Sequence, residues 1–165
     1  MLLMRDIRPM IHEASSRFGI PRSLLQAIID VESAGVRWAT RAEPGYRWLW
    51  DIKQHAPYRG SDALLPSPRG VTRITELQGQ RTSWGLMQVM GATAREQGFD
   101  GTYLTELVDP ETNLYHGCLY LRRQYRRYED WESAVAAYNA GQAVKDAGQW
   151  RNHEYVARVK GAGGL

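Results

Sequence analysis

The residue best placed to do chemistry is Glu32. It follows the apolar run Ala27-Ile28-Ile29-Asp30-Val31 and precedes Ser33-Ala34-Gly35. An apolar wall desolvates a carboxylate and favours its protonated form, and the negative end of a helix dipole pushes the same way. A carboxylic acid kept protonated near neutral pH can protonate the leaving oxygen of a glycosidic bond. The alternative is a solvated glutamate at a helix end. Two more carboxylates, Glu43 and Asp51, follow in a segment dense with Trp and Arg. An inverting hydrolase would use a second carboxylate to activate water, about 6.5–9.5 Å from the acid. With Arg41, Arg47 and Lys53 nearby, both could instead form loop ion pairs, worth little when exposed. Cys118 is the only cysteine, which excludes an intrachain disulfide and a cysteine-based metal site. The four histidines (His12, His55, His116, His153) are scattered without an HExxH pattern, so neither a metal nor a cofactor is expected.

These residues need elements to hold them. Ile7, Met10, Ile11, Ala14 and Phe18 follow helical spacing, with Gly19 as a stop. Pro21 opens a second helix carrying Leu24, Leu25, Ala27, Ile28, Ile29 and Val31. Both of its sides are apolar, which predicts a central, buried helix ending near Ser33 with Gly35 just beyond. Residues 36–82 read as a long excursion, punctuated by Pro and Gly, with one short helix around Thr72 to Gln80. Residues 85–97 read as a turn and a short helix stopped by Gly98. Asp109-Pro110 starts a longer helix in which Leu114, Cys118, Leu121, Tyr125 and Tyr128 recur at steps of three and four. Asp130 caps a helix from Trp131 to Asn139, ended by Gly141, and a last helix runs from Asn152 to Val159. The expectation is a mostly α chain of short helices and irregular loops.

Three segments reinforce one another: Glu32-Ser33-Ala34-Gly35, Ser83-Trp84-Gly85-Leu86-Met87-Gln88-Val89 and Ala137-Tyr138-Asn139-Ala140-Gly141. In this order they resemble the soluble lytic transglycosylase (SLT) domain of the lysozyme-like superfamily. Asp109-Pro110-Glu111-Thr112-Asn113-Leu114 is similar to that family's helix start, and Tyr155-Val156-Ala157-Arg158-Val159 to its closing helix. The resemblance covers residues 7 to 160. It implies a single lysozyme-like domain over 1–165, two-lobed and helical with a substrate groove, with an extended insertion at about 36–82. The insertion is longer than in most relatives and looks like that of phage-associated members.

The resemblance also implies roles. Glu32 would be the catalytic acid and then base, and Ser33 would orient it or the substrate. Gly85, Leu86, Met87 and Gln88 would line the sugar groove, with Tyr138 and Asn139 approaching from the opposite lobe. The implied reaction is lytic cleavage of the MurNAc-GlcNAc β-1,4 bond of peptidoglycan, leaving 1,6-anhydroMurNAc ends. The alternative is a hydrolytic muramidase using Glu32 with Glu43 or Asp51. A further alternative is an inactive wall-binding or phage tail structural protein. From the residues alone, Met87 could be core filler and Tyr138 a core aromatic.

Composition is compatible with this reading. Of 165 residues, 21 are basic and 18 acidic, a net charge of +3 that suits a mildly anionic polymer. Arg122, Arg123, Arg126 and Arg127 suggest a basic helical nucleic-acid binder, but Glu129, Asp130 and Glu132 follow at once and break the stripe. The partner expected is therefore a peptidoglycan glycan strand acted on by a monomer, with no nucleic acid. No apolar run is long enough to span a membrane. Met1 to Met10 lacks an apolar signal core. Action on the wall, in the periplasm or outside the cell, would then require another export route, phage delivery, or trimming of a longer chain.

Overall fold

The computed structural model describes residues 6–165. The sequence reading of the extreme N-terminus falls largely on residues 1–5 and lies outside the described residues. The chain divides into two compact units: Met1–Gly35 with Gly117–Leu165, and Val36–His116. Seven α-helices and two short 3-10 helices make it about 52% helical among the described residues, so the protein is mostly α.

The first unit is built from helices. α1 (Arg8–Phe18) carries Pro9 in its first turn, where the missing N–H costs nothing, and stops at Gly19, in the left-handed region at φ 61°. α2 (Arg22–Ser33) starts after Pro21 and buries Leu24, Leu25, Ala27, Ile28 and Ile29. Its terminating left-handed residue is Ala34, at φ 52°, followed by Gly35 at φ 75°. The stop therefore takes two left-handed residues, one of them not glycine. α6 (Trp131–Ala140) is capped by Asp130, whose carboxylate accepts from Ser133 N–H, and closes at Gly141. α7 (His153–Gly161) buries Tyr155, Val156 and Val159. α2 packs on α1 and on α7, and α6 packs on α7. The C-terminal part of α5 (Pro110–Tyr128) adds buried Cys118 and Leu121. Its arginines lie over its own rings: Arg122 on Tyr125, Arg123 on Tyr120 and Arg127 on Tyr128, each about 5 Å from the centroid.

The second unit is held together differently. β1 (Thr40–Ala42) pairs antiparallel with β4 (Thr82–Trp84), in the register Thr40↔Trp84 to Ala42↔Thr82, and β4 pairs with β5 (Val89–Met90). β2 (Trp50–Asp51) and β3 (Ala56–Pro57) form a separate hairpin. Helices α3 (Arg73–Gln80) and α4 (Gly91–Glu96) pack on each other. The expected helix near Thr72 to Gln80 is present, with Thr72 as its cap. The strands of the excursion are a finding of the structure alone, because segments of two or three residues are too short to show a period. Between the helices lies an ion pair in which both side chains are almost fully buried: Arg95 donates through Nε and Nη2 to the Glu76 carboxylate at 2.9 Å each. Gln80 Nε2 donates to the same carboxylate, and Arg95 Nη1 donates to the carbonyls of Phe99 and Gly101.

Candidate active site

Glu32 sits in the last turn of α2 and is half-buried. The buried Tyr155 of α7 donates its hydroxyl to Glu32 Oε1 at 2.7 Å. Burial drives the Tyr155 phenol far above its ordinary range, and the neighbouring Glu32 charge adds to this. The ring therefore stays protonated and acts as a donor. Tyr138 of α6 is also buried, and its hydroxyl is held neutral by burial first and by Glu32 second. Its ring lies 5.3 Å from that of Tyr120. Ser33 turns its hydroxyl back to the Ile29 carbonyl at 3.1 Å.

The position of Tyr155 is set by a polar clamp. Asn152 stands just before α7 and donates through Nδ2 to the Ala136 carbonyl and to Asn139 Oδ1, both at 3.0 Å. The end of α6 and the start of α7 are thereby tied, three residues before Tyr155. Asn139 is exposed and takes part in this clamp. Tyr155, which hydrogen-bonds Glu32, is a candidate that sequence reasoning missed. It was visible only as part of the closing helix, and no local pattern reports a contact between residues 123 positions apart.

Residues 85–88 belong to the second unit, and their geometry centres on Asn113. This buried amide donates to the carbonyls of Trp84 and Leu107 and accepts from Met87 N–H, at 2.7–2.8 Å. Gly85 has φ 71°, and a Cβ there would collide with the Asn113 amide, so only glycine fits. Leu86 and Met87 are completely buried. Gln88 stands at φ 48°. It donates through Nε2 to the carbonyls of Ala39 and Gly85, and accepts at Oε1 from Ser83 Oγ. The amide of Gln88 thus knits the turn to β4 and to the segment leading into β1.

Of the other carboxylates, Glu43 accepts from Arg41 Nε at 2.6 Å as a partly exposed ion pair. Asp51 is buried and accepts from the backbone N–H groups of Lys53 and Gln54, closing the β2–β3 turn. The structure brings Glu32, Ser33, Tyr138 and Asn139 into one unit. It places Glu43, Asp51 and residues 85–88 in the other. Among the described residues no three His, Cys, Asp or Glu side chains are grouped as a metal site. Cys118 is buried, and burial pushes its thiol up to about 12, so it is not a nucleophile at neutral pH.

The family of transglycosylase SLT domains matches residues 9–157, and the chain belongs to that family. It is also similar to a protein of Enterobacteria phage PRD1 named "Transglycosylase", with 42% identity over 57 residues, 34% of this chain. That match spans 20% of the phage protein, so the chain covers only about a fifth of that relative's length. No solved structure matches the chain. No helix among the described residues is long and apolar enough to cross a membrane.

Proposed function

We propose that this chain is a peptidoglycan lytic transglycosylase with Glu32 as its single acid and base. The observation that carries the reading is the hydrogen bond from buried Tyr155 to Glu32 at the end of α2. A donor that cannot ionise at neutral pH fixes the rotamer of the carboxyl group without competing for its proton. In the proposed reaction, Glu32 protonates the oxygen between MurNAc C1 and GlcNAc C4, and the C1–O bond breaks. The 2-acetamido group of the substrate stabilises the electron-poor C1. Glu32, now a carboxylate, takes the proton from the C6 hydroxyl of the same muramic acid as O6 bonds to C1. The acid is regenerated, no water is consumed, and a 1,6-anhydro end is left. Tyr155 and Tyr138 act on Glu32 as positioning residues, and Ser33 and Asn139 support the elements that present them. The family resemblance assigns the 85–88 turn, shaped by Asn113, to substrate binding. Glu43, held by Arg41, has a secondary electrostatic or substrate-positioning role.

The family match runs through both compact units, which supports reading 1–165 as one functional domain with the 36–82 excursion inserted. The polymer acted on lies outside the cytoplasmic membrane, reached by export or by phage delivery, and the domain works as a monomer.

The test is digestion of purified peptidoglycan followed by muropeptide mass analysis. Anhydro ends are lighter than reducing ends by one water. Glu32→Gln is expected to cut product formation by about 10²–10⁴-fold, the usual scale of general acid–base catalysis, with an unchanged circular dichroism spectrum. Tyr155→Phe is expected to lower kcat about tenfold with little change in KM, since it removes the hydrogen bond to the carboxylate that Glu32 becomes once it has given up its proton. Products with only reducing ends, lost again in Glu43→Gln, would make the enzyme a muramidase.

A further inference from the structure

We infer that the 36–82 insertion carries a glycan-binding cleft of its own, built to hold an anionic amino-sugar strand. A cavity of about 410 Å³ in the second unit is walled by Tyr46, Trp48, Trp50 and Tyr58, with Arg47 and Arg59 beside them. Its size falls within the range of small-ligand pockets. Glu96 also lines it, so the cations outnumber the carboxylates two to one. Neither Arg47 nor Arg59 pairs with a carboxylate among the described residues.

The backbone that carries these rings is fixed from below. Fully buried Gln80 accepts from Trp50 N–H at 2.8 Å and donates to the Trp50 carbonyl at 2.9 Å. Arg81 Nε donates to the Tyr46 carbonyl, Tyr58 N–H donates to the Leu49 carbonyl, and Leu49 is buried. On this rigid base Trp48 is left 76% exposed. With Tyr46, Trp50 and Tyr58 lining the same cavity, this exposed ring belongs to a contiguous aromatic patch, and such a patch marks a contact surface. Two Trp and two Tyr present flat apolar faces with polar edges, which suits the alternating C–H and hydroxyl surfaces of pyranose rings. The two guanidiniums add recognition of carboxylates, such as those of the stem peptides carried by muramic acid. The polymer's identity rests on the function proposed above; the aromatic and cationic recognition does not.

The experiment uses the full chain carrying Glu32→Gln, so that no probe is consumed, and measures affinity by calorimetry. One probe is neutral chitotetraose. The other is a GlcNAc-MurNAc tetrasaccharide bearing stem peptides. Trp48→Ala is expected to weaken both by about tenfold, the scale for truncating an aromatic anchor. Arg47→Ala with Arg59→Ala is expected to weaken only the anionic probe, by about fivefold. The inference is overturned if Trp48→Ala leaves both affinities unchanged, or if the arginine pair does not distinguish the probes. Displacement of the tetrasaccharide by an equal concentration of single-stranded oligothymidine would also overturn it, by assigning the aromatic cleft to nucleic acid. A native chain that releases no anhydro ends yet keeps the Trp48 dependence would refute the proposed reaction while retaining the cleft.

Discussion

The two units of this protein solve the same stability problem with different materials. In Met1–Gly35 with Gly117–Leu165, helices bury aliphatic side chains, and α2 alone places Leu24, Leu25, Ala27, Ile28 and Ile29 inside. In Val36–His116, short strands and turns leave many backbone groups without helical partners, and buried or half-buried polar side chains satisfy them. Gln80 serves Trp50, Gln88 serves Ala39 and Gly85, Asn113 serves three backbone groups, and Arg95 serves Glu76 and two carbonyls. An apolar core tolerates loss of area by degrees, whereas a buried polar network loses a whole desolvation cost when one member is removed. The polar unit is accordingly the more brittle of the two, and it carries the insertion and the 85–88 turn.

The largest effect that sharpens this contrast is expected for Glu76→Ala. It strands Arg95 as a buried, uncompensated charge and should destabilise by about 3–5 kcal/mol, where Ile28→Ala in the helical unit costs about 2–5 kcal/mol. Hydrogen exchange should show the Glu76→Ala losses concentrated in residues 36–116. If the protection lost lies mainly in α1, α2 and α7, the contrast between the units is wrong.

Asn113→Ala comes next. It leaves Met87 N–H and two carbonyls without their partner, and unsatisfied buried groups cost about 1–3 kcal/mol each. A lowered thermal midpoint is expected, together with altered near-ultraviolet signal from Trp84, whose carbonyl Asn113 holds. A fall in stability well under 1 kcal/mol would show that the turn does not depend on this amide.

A smaller change, of about 1 kcal/mol, is expected from Asp130→Ala in the helical unit, the usual value of an N-cap. The Ser133 hydroxyl and N–H bonds hold the Asp130 carboxyl below its ordinary value. Its contribution is therefore present above the unfolded value near 3.8 and is lost as pH falls through the folded one. Denaturant midpoints measured at pH 7 and again below pH 3 should show the difference between parent and variant shrinking.

The smallest effect is a slope. Burial lowers the His116 imidazole below its ordinary 6.5, against a weaker opposing pull from Asp100. The neutral ring is the one the fold accommodates, so stability is full above about 6.5 and declines as pH falls toward the folded value. An NMR titration placing His116 above 6.5 would reverse that sign.

Much of the helical unit was legible in advance. Gly19, Asp130 and Gly141 mark helix ends within one residue of where α1 and α6 begin and stop, because capping is a matter of a few neighbouring backbone groups. The apolar character of α2 announced its burial for the same local reason. The excursion was less readable. Its helix at Arg73–Gln80 was expected, but β1 was not, since it depends on a partner, Thr82–Trp84, some forty positions away, and β2 and β3, at two residues each, are too short to show a period. Gln88 was expected to face sugar; the bonds of its amide to Ser83, Ala39 and Gly85 were not legible, because Ala39 lies 49 positions away.

What the sequence by itself determined, then, is the family, the mostly helical class and the helix on which Glu32 stands. These follow from ordered motifs, spacing and caps that act over a few residues. Only the tertiary structure decided that Tyr155 donates to Glu32, that Asn113 shapes the turn at Gly85, and that buried Gln80 steadies a hairpin displaying Trp48. Each is a bond between polar groups far apart in the chain. Such pairs are chosen when the loops between them close and water is excluded, and neither event leaves a mark in the local pattern of residues.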